Sequence, residues 1–368
     1  MQETMQPTDK DYWKHIVTSN NLFGVDLFKT QAMENPSSNV IISPTAVYLL
    51  LSMLYNGAAQ SSAAQLAAAL KFPRPEEINP WNKQLLNYLT SDKPDHDVSI
   101  AFALWFGMGI RCHESFVKNC RDFYASAIYG VDFESLISNE QINCWAQTST
   151  RDRIAEVVEP QKPLNGSKLA LTTALYFSVP WQSGFEIKNT VEQKFLLVGG
   201  GSKMVPMMYQ IGQLQYKDDE NVQLVKLPFR NSPYYMQVIL PRPGKTFGHC
   251  IEYLKAPNDC FASVPSDGLM LAMPRFEVEF KADLTRALTQ LGIADAFVAG
   301  RADLSPIAPA LNAAFIGHAA KLKVDEAGNA PPPGVAPMRQ MLVDRPFLFS
   351  VVDGGTGQVL LTSAVLNP

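Results

Sequence analysis

A helix that is apolar on every side is the feature that most constrains this chain. Ser43-Pro44 is typical of a helix start, because a Ser side chain can cap free N–H groups and Pro is tolerated in the first turn. Residues 45–55 that follow are apolar nearly all round the predicted helix, and such a helix has to be buried on every side. Ser52 interrupts the run and Asn56-Gly57 ends it, so the segment is too short to span a bilayer.

The composition provides the core that such a helix requires. Of the 368 residues, 46% are hydrophobic and 10% are aromatic, which excludes wholesale disorder and fibrous repeats. The 31 Lys and Arg residues face 35 Asp and Glu residues, for a net charge of -4. Because no basic field is available to neutralise phosphates, we expect no nucleic acid and no anionic membrane as a partner.

Helix signals dominate the first third of the chain, and strand signals dominate the rest. Helices are predicted over residues 11–30, 45–55, 61–70, 81–89, 114–127, 140–157 and 284–291. Strands are predicted over residues 98–106, 169–177, 222–228, 234–240, 268–280, 315–324, 347–352 and 358–365. No repeat and no linker divides the chain. This order of elements favours an α+β fold with large antiparallel or mixed sheets.

The cysteines and the N-terminus provide information on whether the protein is cytosolic or secreted. The start of the chain is polar, without a basic or an apolar stretch, so we expect no signal peptide in this sequence. The five Cys residues form no CxxC motif, so we expect free thiols, with one or two disulfides such as Cys112–Cys120 or Cys250–Cys260 as the alternative. Asn165, in the sequence Asn-Gly-Ser, is a candidate glycosylation site if the chain is secreted.

No pattern of catalytic or metal-binding residues is present. The five His residues are scattered, without HExxH or similar spacing, and there is no GxSxG. The glycine run 199–201 lacks the spacing of a phosphate-binding loop, and Asp95-His96-Asp97 is better interpreted as a solvated loop. We therefore expect no enzyme, no cofactor and no metal.

The order of short motifs along more than 300 residues resembles the serpin superfamily. These motifs begin at Asn39 (NVIISP), Leu54 (LYNGA), Ile142 (INCW), Leu175 (LYF), Val205 (VPMM), Pro274 (PRF), Leu291 (LGI), Ala302 (ADLS) and Asp344 (DRPFLF). The resemblance implies a single large domain over residues 1–368, with about three β-sheets and eight or nine helices. Ser363-Ala364 departs from the Gly-Arg pair that many serpins carry near the C-terminus.

The resemblance also implies a mechanism. Inhibitory serpins offer an exposed loop as protease bait, and after cleavage the upstream part of the loop inserts as a new central strand of the main sheet. Here the reactive-centre loop is expected over residues 329–342, after Glu326 and Gly328, which match the hinge entrance of the family. The residues that follow the hinge are Asn329, Ala330, Pro331, Pro332, Pro333, Gly334 and Val335.

Two features of this loop oppose insertion. Each Pro lacks the N–H that a central strand donates, and three in a row favour a stiff polyproline conformation. The loop is also short, because counting forward from Glu326 places the scissile bond near Leu342, whereas counting back from Pro346 places it near Val335. Residues 328–335 span at most about 25 Å when fully extended.

The resemblance places five further residues in the region where the main sheet opens. Ser43 and His318 match the family, whereas Ala46 replaces a usual Ser and Thr173 replaces a usual Asn. Trp181 is expected at the top of the sheet. A hydrogen-bonded core histidine is the simpler interpretation of His318, and packing is the simpler interpretation of Trp181.

The sequence therefore predicts a non-inhibitory serpin-like protein, monomeric and extracellular, that acts by binding an unidentified partner or ligand. A cytoplasmic location stays open. The alternative is an inhibitor of trypsin-like proteases that uses Arg339, after Met338, as bait. Heparin is not an expected partner, because Lys83 is the only basic residue between residues 80 and 91.

Overall fold

Helix α2 lies at the centre of the molecule, as its apolar sequence predicts. The computed structural model describes residues 7–72, 74–90, 96–162, 164–261, 266–329 and 339–368. Every residue of α2, Pro44–Tyr55, is buried. The Ser43 side chain accepts a hydrogen bond from the Ala46 N–H at 3.1 Å, which confirms the predicted cap. No helix in these described ranges is long and apolar enough to cross a membrane.

Eight helices and fourteen strands are found in the described part of the chain. The helices are α1 (Pro7–Glu34), α2 (Pro44–Tyr55), α3 (Gln60–Leu70), α4 (Pro75–Leu89), α5 (Glu114–Tyr124), α6 (Ile137–Ser149), α7 (Phe247–Lys255) and α8 (Thr285–Gln290). The strands are β1 (Val40–Ile42), β2 (Asp97–Gly107), β3 (Ala127–Val131), β4 (Leu169–Ser178), β5 (Val191–Leu196), β6 (Ser202–Asp218), β7 (Val222–Pro228), β8 (Tyr234–Pro241), β9 (Ser266–Pro274), β10 (Phe276–Asp283), β11 (Ala313–Val324), β12 (Arg339–Leu342), β13 (Phe347–Asp353) and β14 (Val359–Val365). The predicted α+β class is confirmed.

The strands form two hydrogen-bonded sheets. The larger has nine strands in the order β1-β14-β13-β8-β7-β6-β9-β12, with β5 also paired to β6. Strand β6 is 17 residues long. It pairs with β5 through residues 202–207 and with β7 through residues 215–218. Strand β6 therefore connects its neighbours into one large sheet, so two hydrogen-bonded sheets are found where the resemblance implied about three.

The smaller sheet has five strands in the order β10-β11-β4-β2-β3. Strands β11 and β4 are parallel neighbours at its centre. Side chains of β4 alternate between two cores, because Leu171 and Leu175 pack towards α2 whereas Ala170 and Ala174 pack towards α6. A strand covered on both faces explains the continuous apolar run of its sequence.

Several predicted boundaries are corrected. Helix α6 ends at Ser149 instead of residue 157, because Asn143 Oδ1 accepts the backbone N–H groups of Val157 at 2.8 Å and Val158 at 3.1 Å and holds that segment irregular. The strand predicted over residues 268–280 is two strands, β9 and β10, which separate at Arg275.

Candidate functional site

The candidate site lies where β11 ends and the chain leaves for the predicted reactive loop. Because β4 and β11 are parallel, both strands end at the same edge of the sheet. The continuation of β11, residues 325–329, is here called the hinge segment. The continuation of β4, residues 181–185, is called the receiving turn. The two segments meet at this edge.

Backbone hydrogen bonds fix the hinge segment along the receiving turn. The N–H of Trp181 donates to Ala327 O at 2.9 Å, and the N–H of Gly184 donates to Asn329 O at 2.7 Å. Phe185 N–H donates to Glu326 O at 3.1 Å. The chain is therefore held as far as Asn329, the first residue of the predicted loop.

Two glycines allow this close approach. A Cβ atom on Gly328 would lie 2.6 Å from Gly184 Cα, and a Cβ atom on Gly184 would lie 2.7 Å from Glu326 O. Both neighbours are backbone atoms that cannot rotate away. Sequence reasoning matched Gly328 to the family's hinge but missed Gly184, whose contact partner is more than 100 residues away.

The buried side chain of Trp181 connects the receiving turn to the hinge segment. Its ring is 3% exposed and stacks on Phe229, with the ring centroids 4.8 Å apart and the planes at 12°. Its Nε1 donates to Asp325 O at 2.8 Å. The ring and the Nε1–H of Trp181 therefore both have partners within the fold, which agrees with the packing interpretation.

Glu326 is a buried carboxylate with two partners. It is 8% exposed; its Oε1 accepts from the Thr190 hydroxyl at 2.8 Å and lies 3.6 Å from Arg275 Nη1. A buried charge without partners would be costly, so this arrangement stabilises one position of the hinge segment. The hinge, Arg275 and residues 185–188 line an open cleft of about 800 Å³. Its basic residues are paired with its acidic residues, as in Lys323 with Asp325 at 2.9 Å.

The residues that the resemblance assigns to sheet opening lie at the start of α2 and further along β4 and β11. The backbone N–H of Ser43 donates to His318 Nε2 at 3.0 Å, which ties α2 to β11. The N–H of Ala46 donates to the Ser43 side chain that caps α2. Thr173 lies opposite His318 where β4 pairs with β11. Within the described residues, His318 Nδ1 and the Thr173 hydroxyl have no hydrogen-bond partner. Trp181 is separate from this group, beyond the end of β4.

His318 is neutral because it is buried. Burial lowers its pKa from 6.5 to about 3, since a charged imidazolium loses its hydration there. A proton on Nε2 would also remove the acceptor that Ser43 uses. The interpretation as a hydrogen-bonded core histidine is supported by this geometry.

Most of the predicted loop lies outside the described residues. This applies to Ala330, Pro331, Pro332, Pro333, Gly334, Val335 and Met338. Arg339, in contrast, begins strand β12, which pairs in parallel with β9 from Arg339 opposite Leu269 to Leu342 opposite Ala272. The last four residues of the predicted loop, 339–342, are therefore part of a sheet, and Met341 among them is buried.

The remaining candidates lie on other surfaces. Asn165 is exposed in a turn, an accessible position for a glycan. All five cysteines are free thiols, but only Cys120 and Cys250 show the buried state expected for them; Cys112 and Cys260 are half-buried, and Cys144 is exposed. Among the described residues, no group of three or more His, Cys, Asp or Glu side chains could hold a metal ion.

Comparison with known proteins gives one consistent family. The family described as serpin (serine protease inhibitor) matches residues 18–368. An uncharacterized serpin-like protein of Methanosarcina acetivorans is 25% identical and covers 96% of this chain and 86% of its own. Leukocyte elastase inhibitor A of Mus musculus is 26% identical, over 96% of this chain and all of its own. Native protease nexin-1, solved with heparin, has a TM-score of 0.88 at 25% identity, over 98% of this chain and 99% of its own. The fold implied by the motif order is confirmed.

The free energy of unfolding is expected to fall as the pH is lowered, because His318 is buried in its neutral form. Its folded pKa of about 3 lies below the unfolded value of 6.5, so the unfolded state binds more protons as the pH falls from about 6.5 towards 3. This group alone should lower the free energy of unfolding by about 2 kcal/mol between pH 7 and pH 5. His318→Gln keeps an acceptor for Ser43 and should lose that component in urea denaturation at the two pH values. His113→Gln, at an exposed position, should keep it; an equal loss in both variants would contradict the assignment.

Substitution of Gly328 is expected to detach the hinge. The Cβ of Gly328→Ala meets the Gly184 backbone at 2.6 Å, so we expect a loss of about 1–3 kcal/mol in the free energy of unfolding, together with faster proteolysis near Asn329. Gly212→Ala is the matched control, because it adds a Cβ within a strand where nothing lies within 4 Å. A Gly328→Ala protein as stable and as protease-resistant as this control would show that the contact is dispensable.

Proposed function

The chain belongs to the serpin family, and we propose that within this family of protease inhibitors it is a non-inhibitory member that acts by binding a partner. The observation that carries the proposal is the length and content of the loop. Residues 330–338, nine in number, connect Asn329 in the hinge to Arg339 in β12. Four of the nine are prolines, Pro331, Pro332, Pro333 and Pro337.

Insertion would require a new strand between β4 and β11. These two strands are paired directly, from Ala313 opposite Leu169 to Leu322 opposite Phe177. The incoming strand would have to replace those contacts with hydrogen bonds to both neighbours. A central strand uses every one of its N–H groups for this purpose.

The nine residues cannot supply that strand. Fully extended they span at most about 32 Å, and only if the chain were cut at its far end. Four positions have no N–H to donate, and a buried carbonyl left unpaired costs about 1–3 kcal/mol. The total of about 4–12 kcal/mol is comparable to the whole stability of a domain. Cleavage of the loop is thus expected to leave the sheet closed.

An inhibitory role through Arg339 is the second candidate. Arg339 is exposed, and relatives such as the mouse leukocyte elastase inhibitor carry inhibition in their names. Pairing with β9 counts against it, because Arg339 would have to leave β12 to enter a protease. Its guanidinium also lies 5.9 Å from the Tyr216 ring centroid. We therefore favour the non-inhibitory role.

The location and the class of partner belong to the same proposal. The exposed Asn165 fits the extracellular location that the sequence suggests, whereas five free thiols fit a reducing compartment. The intact mass of protein from its native source decides between them, since a glycan on Asn165 requires secretion. A glycosaminoglycan is not proposed as a partner, because Lys83 is the only basic residue of α4. We propose a monomer whose partner is a protein or a small ligand.

Incubation with trypsin and with elastase is the direct test. We expect cleavage within residues 330–342 without an SDS-resistant complex, because a loop that does not insert cannot trap the acyl-enzyme. A control variant with Pro331, Pro332 and Pro333 changed to Ala, and with about seven small residues added after Val335, restores the length of a typical inhibitor. A covalent complex formed by the unsubstituted chain would overturn the proposal.

The melting temperature after cleavage provides a second measurement. Because no strand is gained, we expect the cut and uncut proteins to melt within about 5 °C of each other, a range that for a chain of this length corresponds to about 4 kcal/mol. The lengthened control, if it inserts its loop, should melt well above its uncut form. A rise of tens of degrees in the unsubstituted chain would show insertion despite the prolines.

A further inference from the structure

A pocket between α6 and the end of the five-stranded sheet contains no residue of the hinge or of the predicted loop. It has a volume of about 390 Å³ and is lined by Trp105 of β2, by residues 129–131 of β3 and by one face of α6. The α6 residues are Gln141, Cys144, Trp145, Thr148 and Ser149. Their spacing of three and four residues places them on one side of the helix.

Aromatic rings form the inner wall of this pocket. Trp105 and Tyr129 are stacked, with ring centroids 4.6 Å apart and planes at 22°. Trp145 meets Trp105 edge-on, at 6.0 Å and 81°. Trp105 is fixed from behind, because its Nε1 donates to the Thr172 hydroxyl at 2.9 Å. The wall is therefore rigid before any ligand arrives.

One ring of this wall is open to solvent. Tyr129 is 43% exposed, and it lies on β3, the last strand of the sheet. An exposed aromatic side chain beside two buried tryptophans provides a face on which another flat ring can stack. Ligand sites are commonly apolar pockets of about 300–1,000 Å³ with a few converging polar groups.

The outer wall determines which molecules fit. Among the described residues, the lining has no charged side chain, so a charged ligand would lose hydration without an ionic partner. Gln141, Thr148 and Ser149 provide hydrogen-bonding groups, and none of them makes a side-chain hydrogen bond to another residue in the described ranges. A neutral flat molecule with one hydroxyl or carbonyl could stack on the aromatic inner wall and form a hydrogen bond with the polar outer wall.

We propose that this pocket binds an uncharged planar aromatic molecule of about two fused rings that carries a single hydrogen-bonding group. The ring stacks against Tyr129, and the polar group meets the α6 residues at the rim. The inference goes beyond the non-inhibitory role, because none of the lining residues belongs to the loop or to the hinge. It stands whether or not the chain inhibits a protease.

The structure provides two reporters of occupancy. Trp105 and Trp145 lie in the wall, so a bound naphthalene ring changes their fluorescence. Cys144 is the only one of the five cysteines that is exposed, and it lies at the rim. A ligand in the pocket should therefore slow alkylation of Cys144 by iodoacetamide.

The experiment uses 2-naphthol with the full-length chain. We expect saturable quenching of tryptophan fluorescence and at least a fivefold slower alkylation of Cys144. Naphthalene, without the hydroxyl, should bind more weakly, and naphthalene-2-sulfonate, which is charged, should bind more weakly still. Equal binding of all three molecules, or no saturable binding of 2-naphthol up to its solubility limit, would overturn the proposal.

Two variants locate the binding. Tyr129→Ala removes the stacking face, and Thr148→Trp fills the pocket from an exposed position of α6; each should weaken 2-naphthol binding at least tenfold. Thr148→Trp keeps the test valid if the loss of the Tyr129 ring destabilises the fold. Met33→Ala, at a side chain that is 80% exposed and outside this lining, is the control and should leave the affinity unchanged. Binding that survives both pocket variants would place the site elsewhere and refute the assignment.

Discussion

The direct pairing of β4 with β11 is the constraint on which the rest of the structure depends. The two strands are parallel and lie inside the five-stranded sheet, between β10 and β2. Helix α2 packs behind them and is tied to β11 by the bond from Ser43 to His318. On the other face, α6 covers the same strands through Trp145 and Ala146. Because the strands end together, their continuations meet and form the hinge.

The sequence predicted the elements whose signals are local. Helix α2 and strand β7 were identified within one residue at each end, because a fully apolar run and a short run rich in Val and Leu each have few alternatives. Strand β6 was missed, although it is the longest strand. It begins beside the glycine run 199–201, and its alternation is weak because Met204 and Ile211 are apolar but exposed whereas Gln210 is polar but buried. The end of α6 was misplaced because Ile154 and Val157 continue the helical period of apolar residues.

The site was predicted in part, for a similar reason. Gly328 and Glu326 were recognised from the motif order of the family, and Ser43 and His318 likewise. The partners that explain them could not be identified from local sequence. Gly184 contacts Gly328 and Thr190 contacts Glu326, yet each partner is separated from the hinge by more than 100 residues. The extent of the loop depended on β12, since four residues in a strand at the end of a sheet resemble any short extended segment.

The contrast between hinge and loop is the physical basis of the proposed non-inhibitory role. The contacts that position the hinge are complete: two glycines in backbone contact, a buried glutamate with two partners, and Trp181 bonded to Asp325. The segment that would have to move is short and contains four prolines. In a chain that inserts its loop, the hinge has to be released. If the loop does not insert, as we propose, no inserted state competes with the hinge contacts, and they hold the chain at Asn329 as a permanent anchor.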